Sequence, residues 1–145
     1  MIPVYPREWT LRVLWGPQDD HFTETACKLF LDSSFKVTPQ SNRFGIRLEG
    51  PVISRKAEMQ ESIISEGVIA GTIQVPGDGQ PIIILNETVT GGYRKIATVI
   101  AADLPCLGQI KPGNRVAFRA VSLEAAHQTL KDMEKMIQDF KQGVF

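Results

Sequence analysis

Residues 65–103 read SEGVIAGTIQVPGDGQPIIILNETVTGGYRKIATVIAAD. Short apolar, β-branched runs alternate here with glycine-rich turns, and charges are sparse. Thr72–Val75 predicts a strand. Pro76-Gly77-Asp78-Gly79 predicts a tight reversal of hairpin type, because glycine tolerates the backbone angles such turns need. Pro81–Leu85 (PIIIL) has no polar side, which predicts a strand covered on both faces. Thr90–Tyr93 turns again, and Ala97–Ala101 (ATVIA) is the next strand.

Outward from this centre the pattern continues. Thr10–Trp15 alternates, with Leu11, Val13 and Trp15 on one face. Ser34–Thr38 is a short strand and Pro39–Asn42 a turn. In Arg43–Glu49, Phe44, Ile46 and Leu48 face a core while Arg43, Gly45, Arg47 and Glu49 face the other way. The segment 51–62 reads as loop. Arg115–Val121 is the last strand. Thr23 caps a helix running to about Leu31, and Asp103 caps a short helix through Gly108. Ser122 caps a final amphipathic helix at about 123–142, whose stripe is Leu123, Ala126, Leu130, Met133, Ile137 and Phe140. That stripe reads first as core packing, with a docking face as the alternative. Many short strands between Gly/Pro turns, framed by helices, describe a mainly β protein with a few helices, a barrel or a sandwich.

The chain has 145 residues, 43% of them hydrophobic, which suits a single domain over 1–145. Sixteen basic residues balance sixteen acidic ones, so no global field favours nucleic acid or an anionic membrane. No apolar run approaches the roughly 20 residues that span a bilayer, and MIPVYPREW does not read as a signal peptide. Cys27 and Cys106, far apart and without metal-ligand spacing, read as reduced, partly buried thiols, which fits the cytoplasm. His21 and His127 are isolated, so no metal site is expected. P-loop, dinucleotide and nucleophile-elbow motifs are absent.

Chemistry concentrates in Thr90-Gly91-Gly92-Tyr93-Arg94-Lys95. Gly91 and Gly92 allow positive φ and close approach of a ligand to the backbone. If the chain is extended after Gly92, Tyr93 and Lys95 project to one side, where a phenol and an ammonium stabilise charge developing on an oxygen. A hairpin turn followed by a solvated strand edge explains the same residues. Arg43, Arg47 and Glu49 form a second candidate, since arginine suits planar carboxylates. A strand that shows its charges to water is the alternative there. Ser65, Glu66 and Gln74 are polar groups beside apolar strands.

The ordered motifs Gly16-Pro17-Gln18-Asp19, Asn42 to Pro51, Ser65-Glu66-Gly67, Gly71 to Pro76, Asp78-Gly79-Gln80-Pro81, Thr90-Gly91-Gly92-Tyr93 and Ala97 to Pro105 resemble the biotin-dependent carboxyltransferase-like family. That family includes allophanate hydrolase subunit 2, the KipI antagonist KipA and the C component of bacterial 5-oxoprolinase. The resemblance implies a cyclophilin-like β-barrel, and that these residues are the C-terminal half of a longer subunit. It implies an ATP-dependent, amide-directed enzyme complex, 5-oxoprolinase or a urea-carboxylase-type carboxyltransferase. Regulatory antagonism of a KipI-like histidine kinase inhibitor is the alternative. The implied catalytic residues are Lys95 and Tyr93. Arg43, Arg47, Glu49, Ser65, Gln74, Thr90, Gly91 and Gly92 are the implied substrate-binding residues. No cofactor is expected on this domain. ATP enters through partner subunits, and biotin only in the carboxylation variant. The implied partners are an allophanate hydrolase subunit 1-like sister subunit, the N-terminal half, and a small amide or carboxylate substrate. Alone, the domain is expected to be inactive. The family pattern has proline where this chain carries Arg94.

Overall fold

A computed structural model describes residues 2–86 and 88–143, with the side chains of residues 88–90 outside the description. Among the described residues, strands and helices follow one another in this order: β1 (Glu8–Trp15), α1 (Glu24–Asp32), β2 (Ser34–Val37), β3 (Gly45–Glu49), β4 (Glu66–Val68), β5 (Thr72–Val75), β6 (Ile82–Ile84), β7 (Thr88–Gly91), β8 (Arg94–Val99), α2 (Leu104–Leu107), β9 (Arg115–Ala120) and α3 (Leu123–Lys141).

Seven strands close into a barrel in the order β1-β8-β5-β6-β3-β2-β9. Neighbours are antiparallel except at the closure, where β9 lies parallel to β1 from Glu8 opposite Arg115 to Val13 opposite Ala120. Of the barrel and the sandwich that the turn chemistry left open, the structure has the barrel that the family resemblance implies. β4 and β7, too short and glycine-rich to stand out in the sequence, form a separate antiparallel ribbon.

Alternation holds on β1, β2 and β9, which bury Leu11 and Val13, Phe35 and Val37, and Val116 and Phe118. The aromatic centre is Phe30 of α1 stacked on Phe118 at 4.5 Å, with Phe35 beside both. Each fully buried phenylalanine contributes about 1.5–3 kcal/mol. Thr23 holds the start of α1, its Oγ1 accepting from the Ala26 N–H at 3.0 Å. On β6, Ile82 and Ile83 are buried as the PIIIL run requires.

Four expectations change. Phe44 does not enter the core but is 54% exposed, because β3 begins only at Gly45 and residues 42–45 form a turn. Asp103 does not cap α2. Its carboxylate accepts instead from Arg12, at 3.0 Å from Nε, 2.5 Å from Nη2 and 2.8 Å from the main-chain N. β8 starts at Arg94, three residues earlier than the ATVIA run. The stripe of α3 is not core packing: Ala126 is its one buried position, and Leu123, Ile137 and Phe140 are 53%, 44% and 70% exposed. The barrel interior is already filled by Phe30, Phe35 and Phe118, so α3 rests only its first turns on the outside. There Leu123, Ala126 and Leu130 line a shallow apolar groove of about 290 Å³ together with Leu14, Val99 and Leu104.

Candidate functional site

The site follows from an irregularity between β5 and β8. Ile73 lies opposite Ala97, but Gln74 lies opposite Lys95, so Ile96 is an extra residue in β8. Such a bulge re-aims the side chains around it. Arg94, Lys95, Ile96 and Ala97 are consequently all buried, and so is Gln74. At the bulge Gln74, Arg94 and Lys95 thus place buried polar side chains next to one another, beneath three covering segments: the turn at 16–21, the chain at 61–66, and β7.

The cover is held by the same polar groups. Gln18 Oε1 accepts from the Lys95 main-chain N at 3.0 Å, while its Nε2 donates to Glu66 Oε1 at 2.7 Å. Lys95 Nζ pairs with that same oxygen at 2.6 Å. The hydrogen bonds from Lys95, and then from Gln18, lower the Glu66 pKa below the usual carboxylate range. Gly16 donates to Ile96 O at 2.8 Å; a Cβ there would come within 2.4 Å of Lys95 O, so only glycine lets the turn lie this close.

Gly91 and Gly92 serve a different purpose from the one read in the sequence. Neither adopts positive φ. Gly91 is paired opposite Glu66 in the ribbon, and Gly92 O accepts from Ile63 N at 3.0 Å. What glycine provides is space, because a Cβ on Gly91 would stand 2.6 Å from Gln74 Nε2 and 2.7 Å from Val68 Cγ2. Ser65 lies over Gly92, its Oγ 3.6 Å from where a Cβ would be. The Thr90 side chain lies outside the described residues.

Tyr93 occupies a bend before β8 rather than an extended strand. Tyr93 opens instead, 46% exposed, onto a groove of about 410 Å³ lined by Thr38, Arg47, Glu49 and Gln80. No carboxylate lies within 4 Å of the Arg47 guanidinium among the described residues. Thr38 Oγ1, buried in the same wall, has no hydrogen-bond partner. Gln80 is fixed by a two-way contact with Gly50, at 2.9 Å to its N and 3.2 Å to its O. Arg43 stands apart at the exposed β2–β3 turn, its guanidinium 4.9 Å above the Phe44 ring.

The structure therefore brings together Arg47, Glu49 and Tyr93 in one groove. Lys95, Gln74, Ser65, Gly91 and Gly92 gather under and along the β4–β7 ribbon, and Arg43 is left outside both groups. Sequence reasoning missed Gln18, Thr38 and Gln80. Of these, Gln18 and Gln80 stood inside motifs that carry the family resemblance (GPQD and DGQP), which was the available signal.

A family model described as "Carboxyltransferase domain, subdomain A and B" matches residues 1–120. The chain belongs to this carboxyltransferase-domain family. The domain is 36% identical over 129 residues to the C component of 5-oxoprolinase from Escherichia coli (strain K12), covering 88% of this chain and 41% of that protein. It is 37% identical over 140 residues to the same component from Haemophilus influenzae, covering 96% and 45%. The crystal structure of Kluyveromyces lactis urea carboxylase superposes with a TM-score of 0.85 at 28% identity, over 100% of this chain and 14% of that one. This carboxyltransferase domain spans less than half the length of each of these relatives, being 41% and 45% of the two 5-oxoprolinase components.

Proposed function

We propose that this carboxyltransferase domain is the acceptor-binding part of an ATP-dependent, amide-directed enzyme complex. The reaction we assign is opening of 5-oxoproline to glutamate, with carboxyl transfer to a urea-type amide as the related chemistry. The observation that carries this reading is the groove that the Arg47 side chain, without a carboxylate within 4 Å among the described residues, lines together with Tyr93 and Thr38, whose buried hydroxyl has no hydrogen-bond partner. A planar, carboxylated amide suits these groups: arginine holds the carboxylate through two parallel N–H donors, and the phenol donates to the amide oxygen as negative charge grows there. Lys95, outside this groove and paired with Glu66, is assigned the second positive charge at the acceptor site, reached under the β4–β7 ribbon once Glu66 shares its ammonium with the substrate. Glu49, on the groove wall, limits the site to ligands of low negative charge.

ATP is used by partner subunits, and in the carboxyl-transfer variant biotin arrives as a partner-borne substrate. The partners are the remaining half of the subunit and a sister subunit. The exposed stripe of α3 favours such an assembly, and antagonism of a KipI-like inhibitor would use the same surface without turnover. The test is 5-oxoproline-dependent ATP hydrolysis by the assembled complex. Arg47→Met and Tyr93→Phe should each lower the rate about 100-fold, and Lys95→Ala similarly. Unchanged turnover in all three variants removes the groove from the mechanism, and no turnover by the intact complex favours the regulatory reading.

A further inference from the structure

On the opposite side of Pro76 from the groove lies a second cavity of about 300 Å³, whose lining shares only that proline with the first. Its floor is apolar, made by Phe22, Ile53 and Val75, which are 3%, 1% and 6% exposed. Its walls carry three cations, Arg55, Lys56 and Arg94, against a single carboxylate, Glu61.

Arg94 decides what the cavity is for. It is 3% exposed, and a guanidinium keeps its charge even when buried. Its Nε donates to His21 Nδ1 at 3.1 Å and its Nη1 to the Glu61 main-chain O at 3.0 Å, and both acceptors are neutral. Donation to Nδ1 also fixes His21 as the tautomer protonated on Nε2. Among the described residues no carboxylate comes within 4 Å of Arg94, and none within 4 Å of Arg55 or Lys56. Arg55 spends its Nε on another neutral group, Met59 O at 3.2 Å. The Glu61 carboxylate instead lies over Gly77, where its Oε1 stands 2.7 Å from the position a Cβ would take. A buried guanidinium without a counter-ion is costly, and the usual remedy is a paired anion. Elsewhere this protein applies that remedy internally: Arg12 has Asp103, and Lys95 has Glu66.

We infer that this cavity is a carboxylate-binding site for a small molecule with a compact apolar body. The carboxylate pairs with Arg94 and Arg55 at the wall, and the body rests on Phe22, Ile53 and Val75. Arginine matches the two oxygens of a carboxylate, and the volume lies at the small end of ligand pockets. The site does not depend on the reaction proposed above, because the groove with Arg47 and Tyr93 lies across Pro76 from it.

The test uses three probes on the full chain carrying Arg47→Met, which removes the carboxylate partner from the neighbouring groove, at fixed ionic strength: cyclopentanecarboxylate, cyclopentanecarboxamide and inorganic phosphate. Affinity is measured by titration calorimetry, and the Arg94 Nε–H signal is followed by nitrogen-15 NMR. The carboxylate should bind saturably and shift that signal. The uncharged amide, with the same body, should bind at least ~10-fold more weakly. Phosphate, with no body, should also bind more weakly than the carboxylate. Arg94→Gln should abolish binding, and Arg55→Gln, at the half-buried rim, should weaken it ~10-fold should the first variant fold poorly. Glu61→Gln should tighten it, since that substitution removes a repelling charge while leaving the main-chain acceptor of Arg94. Equal affinity for carboxylate and amide overturns the proposal. So does phosphate binding as tightly as the carboxylate, or an Arg94 Nε–H signal that does not move. None of these probes is a substrate of the proposed reaction, so this site can fail while turnover stands, and the reverse.

Discussion

Gly16 fixes the distance between the first turn and β8. A Cβ there would press on the Lys95 carbonyl, 2.4 Å from its oxygen and 2.9 Å from its carbon, and main-chain atoms of a barrel strand cannot step aside. Gly16→Ala should cost about 1–3 kcal/mol, read by urea denaturation; a loss below a few tenths would show that the turn can lift away. Glu66 makes the pH prediction. Its folded pKa is lowered by Lys95 and Gln18, so its stabilisation is full above the unfolded value of about 4.3 and fades as pH falls through the folded one. The side chain is 44% exposed, so screening holds the effect below about 1 kcal/mol. The stability gap between the parent chain and Glu66→Gln should therefore shrink between pH 6 and pH 3; a constant gap would exclude ionisation as its source. At this scale the sequence marks the chemistry-bearing residues but not their pairing. Lys95 and Glu66 are 29 positions apart, and only the ribbon and the bulge at Ile96 bring them together.

Elements were legible where the signal is local. Thr23 and Ser122 cap their helices as their positions suggest, with Ser122 Oγ accepting from Ala125 N at 3.1 Å. The strands follow apolar alternation, and Gly79 takes φ +74° at the end of the Pro76 turn. What failed is the inference from stripe to burial on α3. An amphipathic helix has the same period whether it faces its own core or a partner, and the difference lies in whether the core has room. Ser122→Ala should lower stability by about 1 kcal/mol. By contrast, Ile137→Lys should leave the stability of the isolated chain almost unchanged, within about 0.5 kcal/mol, read by thermal unfolding. A core stripe would lose several times that. In a pull-down with the sister subunit the same variant should bind more weakly, because the exposed stripe is what α3 has to offer a partner.

For the molecule as a whole, the barrel explains the state of the thiols. Cys27 and Cys106 are unpaired and half-buried, and burial chiefly raises both above their usual pKa. At pH 7.5 iodoacetamide should modify them slowly in the folded chain and quickly after unfolding; equal rates would show that the barrel does not shield them. A mainly β protein, barrel or sandwich, was legible as a class from turn spacing and alternation. Its closure was not, since nothing local indicates that the first strand will pair with the last. That parallel seam between β1 and β9 bears on how the polypeptide is made. Until residue 120 has left the ribosome, the nascent sheet has two open edges, at β1 and β2, each offering unpaired N–H and C=O groups to other chains. Synthesis halted between β8 and β9 would leave an adhesive half-product, whereas the following stretch that becomes α3 gives β9 the slack to reach both neighbours at once.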